Sequence, residues 1–107
     1  MTDLTAPQVV PNWIQGEDRL AISGRTLDKY DPTTGRLLCR VARSDQSDVN
    51  DSVAAAKKVQ RAWSAETVAY RGEVLRETAM LMMQRRDEIA ALVSSETGKS
   101  RKDALGE

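Results

Sequence analysis

The sequence predicts an α+β fold, in which short N-terminal β-hairpins precede three or four helices. Turn residues divide residues 12–42 into short apolar runs, which is typical of antiparallel strands. From Ser44 onward the apolar residues recur at spacings of three and four, which is typical of amphipathic helices. Residues 1–11 are mostly polar and contain prolines, so we expect a flexible tail there and ordered structure from residue 12.

Two hairpins are predicted in the strand region. The first lies in NWIQGEDRLAI, with its turn around Gly16–Asp18. The second has the turn signal Asp31–Gly35, where Asp, Pro and Gly each favour a reversal of the chain. Cys39 lies in the strand LLCRV that follows this turn. We therefore expect Cys39 to be a small strand residue and not a nucleophile.

Three complete helices and the start of a fourth are predicted after Ser44. Thr67 is expected to cap the second helix, and a break is expected at Arg85–Asp87. The residues expected to face inward are Val49, Val53, Ala56, Ala62 and Trp63 in the first helix, Val74, Leu75, Thr78, Ala79 and Met82 in the second, and Ile89, Leu92 and Val93 in the third.

The segment SSETGKS ends in Gly-Lys-Ser, which also ends the phosphate-binding P-loop. A P-loop requires a glycine five positions before the Gly-Lys pair, where this chain has Val93. It must also follow a strand, whereas RRDEIAALVSSE has helical periodicity. We therefore predict that Gly98 occupies the left-handed position that ends a helix, with no phosphate site.

Composition excludes several classes of function. The chain of 107 residues has 16 basic and 16 acidic residues, so nucleic acid and anionic membranes are poor candidate partners. It contains no histidine and one cysteine, which excludes His-based triads, His metal sites and an internal disulfide within this chain. The N-terminus does not resemble a signal peptide, and the apolar runs are too short to cross a bilayer, so a cytoplasmic protein is expected.

The order of five motifs resembles the N-terminal region of the NAD(P)-dependent aldehyde dehydrogenases. The family's patterns are matched by Trp13, Ile14 and Gly16 in the first hairpin and by Asp31, Pro32 and Gly35 in the second, where the family usually has Asn in place of this Asp. The helical patterns are matched by Val53, Ala55, Ala56 and Trp63, then by Arg71 and Leu75, and finally by Glu96, Gly98 and Lys99. The resemblance covers residues 12–107, and its strength lies in the order of the motifs.

This resemblance implies an incomplete piece of a Rossmann-like α/β enzyme, truncated before the catalytic residues. Residues 12–107 would be the N-terminal portion of the coenzyme-binding domain. The full-length form would oxidise an aldehyde to a carboxylic acid with NAD or NADP through a thiohemiacetal on a cysteine, and would be a homo-oligomer. We expect no catalytic residue and no cofactor-binding residue in this chain, which alone would be inactive and bind no cofactor.

The resemblance also implies one candidate metal site. Some family members hold a monovalent cation with backbone carbonyls before the Asn-Pro turn and with the acid of the Glu-x-Gly-Lys motif. The matching residues are Lys29, Tyr30 and Glu96. Ligands that are all oxygen suit a hard cation. The alternative, which we favour, is that Glu96 is simply solvated near a helix end.

A second hypothesis for function is a helical interaction module without catalytic activity. Leu75, Met82 and Ile89 recur every seven residues, as they would in a coiled-coil seam. Two of the intervening seam positions are polar, Thr78 and Arg85, and the seam is shorter than three heptads. The sequence therefore favours the aldehyde dehydrogenase hypothesis.

Overall fold

The computed structural model describes residues 8–107, which form two compact units. The first unit contains the described residues up to Tyr30 together with Arg36–Arg61. The second contains Asp31–Gly35 and Ala62–Glu107. Strands precede helices along the chain, as the sequence predicted, and the α+β class is confirmed.

The first unit contains two small sheets. Strands β1 (Val9–Val10), β4 (Thr26–Tyr30) and β5 (Leu37–Ala42) form one sheet in the order β1-β5-β4. Strands β2 (Asn12–Ile14) and β3 (Glu17–Arg19) form an antiparallel hairpin. Asp28 and Arg40 lie opposite each other on β4 and β5, and their side chains pair at 2.9 Å, which supports that register.

Strand β1 corrects the predicted tail. Val9 and Val10 pair in parallel with Arg40 and Val41 of β5, although the sequence predicted a flexible tail up to residue 11 and antiparallel strands throughout. Two apolar β-branched residues supply enough pairing for a short edge strand despite the flanking prolines. Residues 1–7 of the predicted tail lie outside the described residues.

The first hairpin turns earlier than predicted. Its two loop residues are Gln15 and Gly16, with φ of 57° and 75°, and Ile14 pairs with Glu17. Two consecutive residues with positive φ are typical of the type I′ turn, whose twist matches that of the strands. Glu17 and Asp18, which were predicted to be part of the turn, therefore belong to β3.

Asp48 connects the segment after β3 to the first helix, α1 (Gln46–Ala65). It is 5% exposed, and its carboxylate accepts hydrogen bonds from the backbone N–H groups of Asp45 and Ile22, both at 2.9 Å. These two bonds hold the pKa of the Asp48 carboxyl below its ordinary value. The same carboxylate therefore supports the start of α1 and fixes the chain at Ile22.

The second unit contains three further helices, with ends close to those predicted. Helix α2 (Val68–Gln84) is capped by Thr67, whose hydroxyl accepts from the N–H of Tyr70 at 3.1 Å. Arg85 lies between α2 and α3 (Arg86–Thr97), at the predicted break. Ser100 caps α4 (Arg101–Leu105) by accepting from the N–H of Asp103.

The predicted inward stripes are more exposed than expected. Among residues 8–107 the buried apolar residues are all alanines: Ala21 in the first unit, and Ala90 and Ala104 in the second. Val49 of α1 is 55% exposed and Leu75 of α2 is 67% exposed. Helical periodicity identifies the apolar side of a helix, but burial also needs a neighbouring element that covers it.

No helix within residues 8–107 combines the length and the apolar character that crossing a membrane requires.

Candidate functional site

The turn between β4 and β5 is organised by Asp31. Its carboxylate accepts from the N–H groups of Thr33 at 2.8 Å and Thr34 at 3.3 Å, while its carbonyl accepts from the N–H of Gly35 at 2.8 Å. A short side chain with an acceptor oxygen favours this kind of local turn, and both Asp and Asn provide one. The Asp at this position therefore makes the local contacts that an Asn could also make.

Gly98 ends α3 and lies against this turn. Its φ is 75°, and its N–H donates to the carbonyl of Ser94 at 2.9 Å, as expected for a left-handed helix end. A β-carbon at this position would lie 3.3 Å from Oγ1 of Thr33 and 3.4 Å from Cγ of Pro32. The structure thus brings together two of the five motifs, and it confirms that Gly98 is a helix end.

The cationic groups beside Gly98 are already paired. Lys99 forms an ion pair with Glu107, and Arg101 donates to the backbone carbonyl of Asp87 at 2.9 Å. The hydroxyl of Ser94 donates to the carbonyl of Lys99 at 2.6 Å, which fixes the chain just after α3. These contacts hold α3, the start of α4 and the chain between them together.

The turn Asp31–Gly35 and the helix end Ser94–Ser100 meet at a junction that we call the turn–helix corner. A shallow depression lies over this corner. Its lining combines hydroxyl groups, small side chains and two basic side chains. The lining residues are Asp31, Thr33, Thr34, Ala91, Ser94, Ser95, Gly98, Lys99 and Arg101. Hydroxyls and paired cations can bind water or polar groups, but this lining supplies no thiol and no general base activated by a partner.

Cys39, the single thiol, lies in a strand, β5, as the sequence predicted. Its partner on β4 is Lys29. Cys39 is half-buried in the strand. Among residues 8–107, no group of three or more Asp, Glu, His or Cys side chains is placed to hold a metal ion. Cys39 therefore has the surroundings of a strand residue.

Of the residues of the predicted cation site, Lys29 and Tyr30 belong to the first unit and Glu96 to the second. Lys29 and Tyr30 end β4, where the pairing with β5 shifts in register, and such bulges alter the direction of backbone carbonyls. Tyr30 is 53% exposed, and its hydroxyl donates to Asp28 at 3.3 Å. Glu96 lies exposed in the last turn of α3. The predicted cation site stays a prediction.

The two tryptophans differ in their surroundings. Trp63 of α1 makes an edge-to-face contact with Tyr70, with ring centres 6.4 Å apart and ring planes at 62°. Trp13 of β2 is 71% exposed. Periodicity predicted that Trp63 faces inward, and of the two tryptophans it is the one with an aromatic neighbour within residues 8–107.

The connection from β5 to α1 has no phosphate-binding glycine loop. A phosphate-binding glycine loop joins a strand to a helix, and the connection from β5 to α1 is Arg43-Ser44-Asp45, without glycine. The glycines with positive φ, at 16, 24, 35 and 98, lie in separate turns and at a helix end.

Sequence reasoning missed Asp48, the most buried charged residue of the described chain. The available signal was the acidic cluster SDQSD at the start of the first helix, where carboxylates commonly cap the exposed N–H groups. That signal predicts a capping acid, and Asp45 does cap, by accepting from the N–H of Ser47 at 2.9 Å. The bond from Asp48 to Ile22 is not local, so no sequence pattern predicts it.

Comparison with known proteins gives one consistent result. The model of the aldehyde dehydrogenase family matches residues 20–107. Malonate-semialdehyde dehydrogenase 2 of Bacillus cereus is 37% identical over 107 residues, which are 100% of this chain and 22% of that protein.

Solved structures agree with the sequence comparison. An NAD-dependent aldehyde dehydrogenase from Sinorhizobium meliloti matches with a TM-score of 0.87 at 29% identity, over 94% of this chain and 21% of that one. An NADP-dependent enzyme from E. coli matches with a TM-score of 0.89 at 30% identity, over 92% of this chain and 21% of that one. The chain thus spans about a fifth of the length of these relatives.

Proposed function

The chain belongs to the aldehyde dehydrogenase family, and on this premise we propose that it is the N-terminal portion of the coenzyme-binding domain of an NAD(P)-dependent aldehyde dehydrogenase. The whole protein would convert an aldehyde, water and NAD(P)⁺ into a carboxylic acid, NAD(P)H and a proton. It would act in the cytoplasm as a homo-oligomer. The residues that hold the cofactor and carry the chemistry would lie in polypeptide outside these 107 residues.

One observation carries the proposal. Over 94% of this chain the backbone matches a solved family member with a TM-score of 0.87, while the chain accounts for only 21% of that member. The turn–helix corner adds local support, because two motifs of the resemblance meet there through the contact of Gly98 with Thr33. The role of residues 8–107 in this proposal is structural: they form helices and a turn that support a larger enzyme.

Structural evidence disfavours the coiled-coil alternative. Leu75 and Met82 lie in α2, whereas Ile89 lies in α3, and Arg85 between them has φ of −100° and ψ of 15°. A coiled-coil seam requires one continuous helix, so the seven-residue spacing does not form a seam.

The proposal is tested by assaying the 107-residue chain and a chimera. In the chimera, this chain replaces the segment of the Bacillus cereus relative that it matches. We expect aldehyde-dependent NADH or NADPH formation by the chimera and none by the chain alone. A chimera that folds but is inactive would contradict the proposal, as would activity of the chain alone that Cys39→Ser abolishes.

The cation site implied by the resemblance remains a separate proposal, involving the backbone carbonyls of Lys29 and Tyr30 and the carboxylate of Glu96. In the chimera, we expect Glu96→Ala to weaken any dependence of activity on potassium or sodium more than it weakens turnover. Glu88→Ala, which removes an acid from the other end of α3, is the matched control. An unchanged response to cations in the Glu96 variant would leave that residue with only a helix-end role.

A further inference from the structure

Arg76 joins a carboxylate and a thioether on one side of α2. Its Nε and Nη2 donate to the two carboxylate oxygens of Glu73, at 3.0 and 2.6 Å. Its Nη1 donates to the sulfur of Met80, one turn further along the helix, at 3.1 Å. Because two bonds to one carboxylate fix the plane of a guanidinium, the pair with Glu73 holds a positively charged donor beside this sulfur.

Met80 lies on the exposed side of α2 and is itself 50% exposed. It follows Arg71 by about two and a half helical turns, and therefore lies on the opposite side of the helix from Arg71. Arg71 and Val74 are the half-buried residues of α2. A shallow depression that Met80 helps to line lets water and small solutes approach its side chain. The residues that line the depression are Arg76, Ala79, Met80, Met83 and Gln84.

This setting stabilises the oxidised form of Met80. A thioether sulfur is a weak hydrogen-bond acceptor, whereas oxidation converts methionine into a polar, chiral sulfoxide. A sulfoxide oxygen at Met80 would accept from the Arg76 guanidinium, and hydrogen bonds from charged donors are roughly twice as strong as neutral ones. The same donor would stabilise the negative charge that develops on oxygen while a peroxide reacts with the sulfur.

We propose that Met80 is a site of reversible oxidation by hydrogen peroxide, with Arg76 as the group that binds the sulfoxide. A lone pair on the sulfur attacks one peroxide oxygen, the O–O bond breaks, and the S–O bond forms. The second oxygen leaves as hydroxide and takes the proton of the transferred oxygen, so methionine and hydrogen peroxide give methionine sulfoxide and water. A methionine sulfoxide reductase reverses the change with two thiols, which become a disulfide, and releases water. The inference depends only on residues of α2 and is independent of the proposed function.

Met83 provides an internal reference on the same side of α2. It lines the same depression and is 65% exposed, compared with 50% for Met80. Exposure alone therefore predicts that Met83 is oxidised faster, whereas assistance by Arg76 predicts that Met80 is oxidised faster. Comparing two methionines of one helix also cancels the effect of changes in helix content between variants.

The test exposes the 107-residue chain to dilute hydrogen peroxide and follows each methionine by fragment-ion mass spectrometry. We expect Met80 to be oxidised at least about twofold faster than Met83 in the wild-type chain, and more slowly than Met83 in Arg76→Gln. Arg85→Gln is the matched control, because Arg85 forms the same two-bond pair with Glu88, at 2.9 and 2.7 Å. This control should leave the ratio of the two rates unchanged.

The configuration of the sulfoxide gives a second measurement. A sulfoxide sulfur is chiral, and a donor fixed on one side should favour one epimer. Methyl NMR of the oxidised chain should show unequal epimers at Met80 and nearly equal epimers at Met83, with Arg76→Gln making both nearly equal. Oxidation of Met80 no faster than that of Met83, a rate ratio that Arg76→Gln leaves unchanged, or equal epimers at Met80 would overturn the proposal.

Discussion

Gly98 lies so close to Thr33 that a β-carbon on the glycine would be 3.3 Å from the threonine hydroxyl oxygen. Gly98 also has φ of 75°, a conformation that disfavours other residues. Two separate effects therefore oppose substitution at this position: backbone conformation and contact with the turn.

Gly98→Ala is expected to destabilise the chimera by about 1–2 kcal/mol through backbone conformation, with a further cost from Thr33. Gly24→Ala is the matched control, because Gly24 has φ of 71° and open space around it. Urea unfolding followed by circular dichroism measures both. If the two variants lose equal amounts of unfolding free energy, the contact of Gly98 with Thr33 contributes nothing to the cost of the substitution.

Thr67→Ala removes the hydroxyl that accepts from the N–H of Tyr70, and we expect it to destabilise α2 by about 1 kcal/mol. The loss should appear in the isolated chain as a lower helical signal and faster amide exchange at Tyr70. Thr78→Ala is the control, because the Thr78 hydroxyl donates to the carbonyl of Val74 within the helix and caps nothing. A Thr67 variant no less helical than the Thr78 variant would refute the capping role.

The bonds to Asp48 predict a loss of stability in acid. Folding lowers the pKa of this carboxyl from its ordinary value of 3.8. Its contribution to the free energy of unfolding is therefore fully present above pH 3.8 and is lost as the pH falls through the pKa of the folded state. We expect NMR titration of the Asp48 carboxyl carbon to give a midpoint below 3.8. We also expect protection of the Ile22 amide to decrease over the same range.

Asp48→Asn is the matched variant for this prediction. An amide keeps one acceptor oxygen, so it cannot accept from both Ile22 and Asp45 in the way that the two carboxylate oxygens do. The variant should lose Ile22 protection at neutral pH and show little further change in acid. A wild-type Ile22 amide whose protection is unchanged as Asp48 titrates would contradict the role of the carboxylate.

The isolated chain is expected to be helical but loosely packed. Its buried apolar residues in the described range are three alanines, whereas Trp13, Leu75 and Met83 are each at least 65% exposed. Each large apolar side chain that stays in water forgoes roughly 1.5–3 kcal/mol of folding free energy. For about four such side chains the loss is comparable to the total stability of a typical complete domain, which is about 5–15 kcal/mol. The expected measurements are a broad thermal transition, association without fixed stoichiometry and red-shifted Trp63 emission in a Trp13→Phe background.

A sharp, cooperative melt of a monomer with well-dispersed amide signals would refute this expectation. It would show that the chain folds on its own, and would favour the helical module over part of an enzyme.

The sequence predicted best those features that depend on neighbouring residues. The cap at Thr67, the break at Arg85 and the helix end at Gly98 each arise within one or two turns of helix, and each is confirmed. The turn at Asp31–Gly35 is also local, because its bonds link residues no more than four apart.

The features that the sequence did not predict are not local. The parallel pairing of Val9 with Arg40 and the bond from Ile22 to Asp48 join segments far apart in the chain, and no periodicity specifies such partners. The exposure of Leu75 was missed because periodicity identifies an apolar side without showing what covers it. The contact of Gly98 with Thr33 was likewise invisible, although both motifs were recognised separately.

The position of β1 in the sheet has a consequence for the order of folding. Strands β4 and β5 are joined by a short turn, so their pairing closes a small loop and can form early. The pairing of Val9 with Arg40 instead closes a longer loop, which contains the whole hairpin region. Closing this loop costs more conformational entropy, and only two residues of β1 pair in return. We expect β1 to dock last during refolding, and the N–H of Arg40, which donates to the carbonyl of Gln8 at 2.9 Å, to exchange with solvent sooner than the amides between β4 and β5.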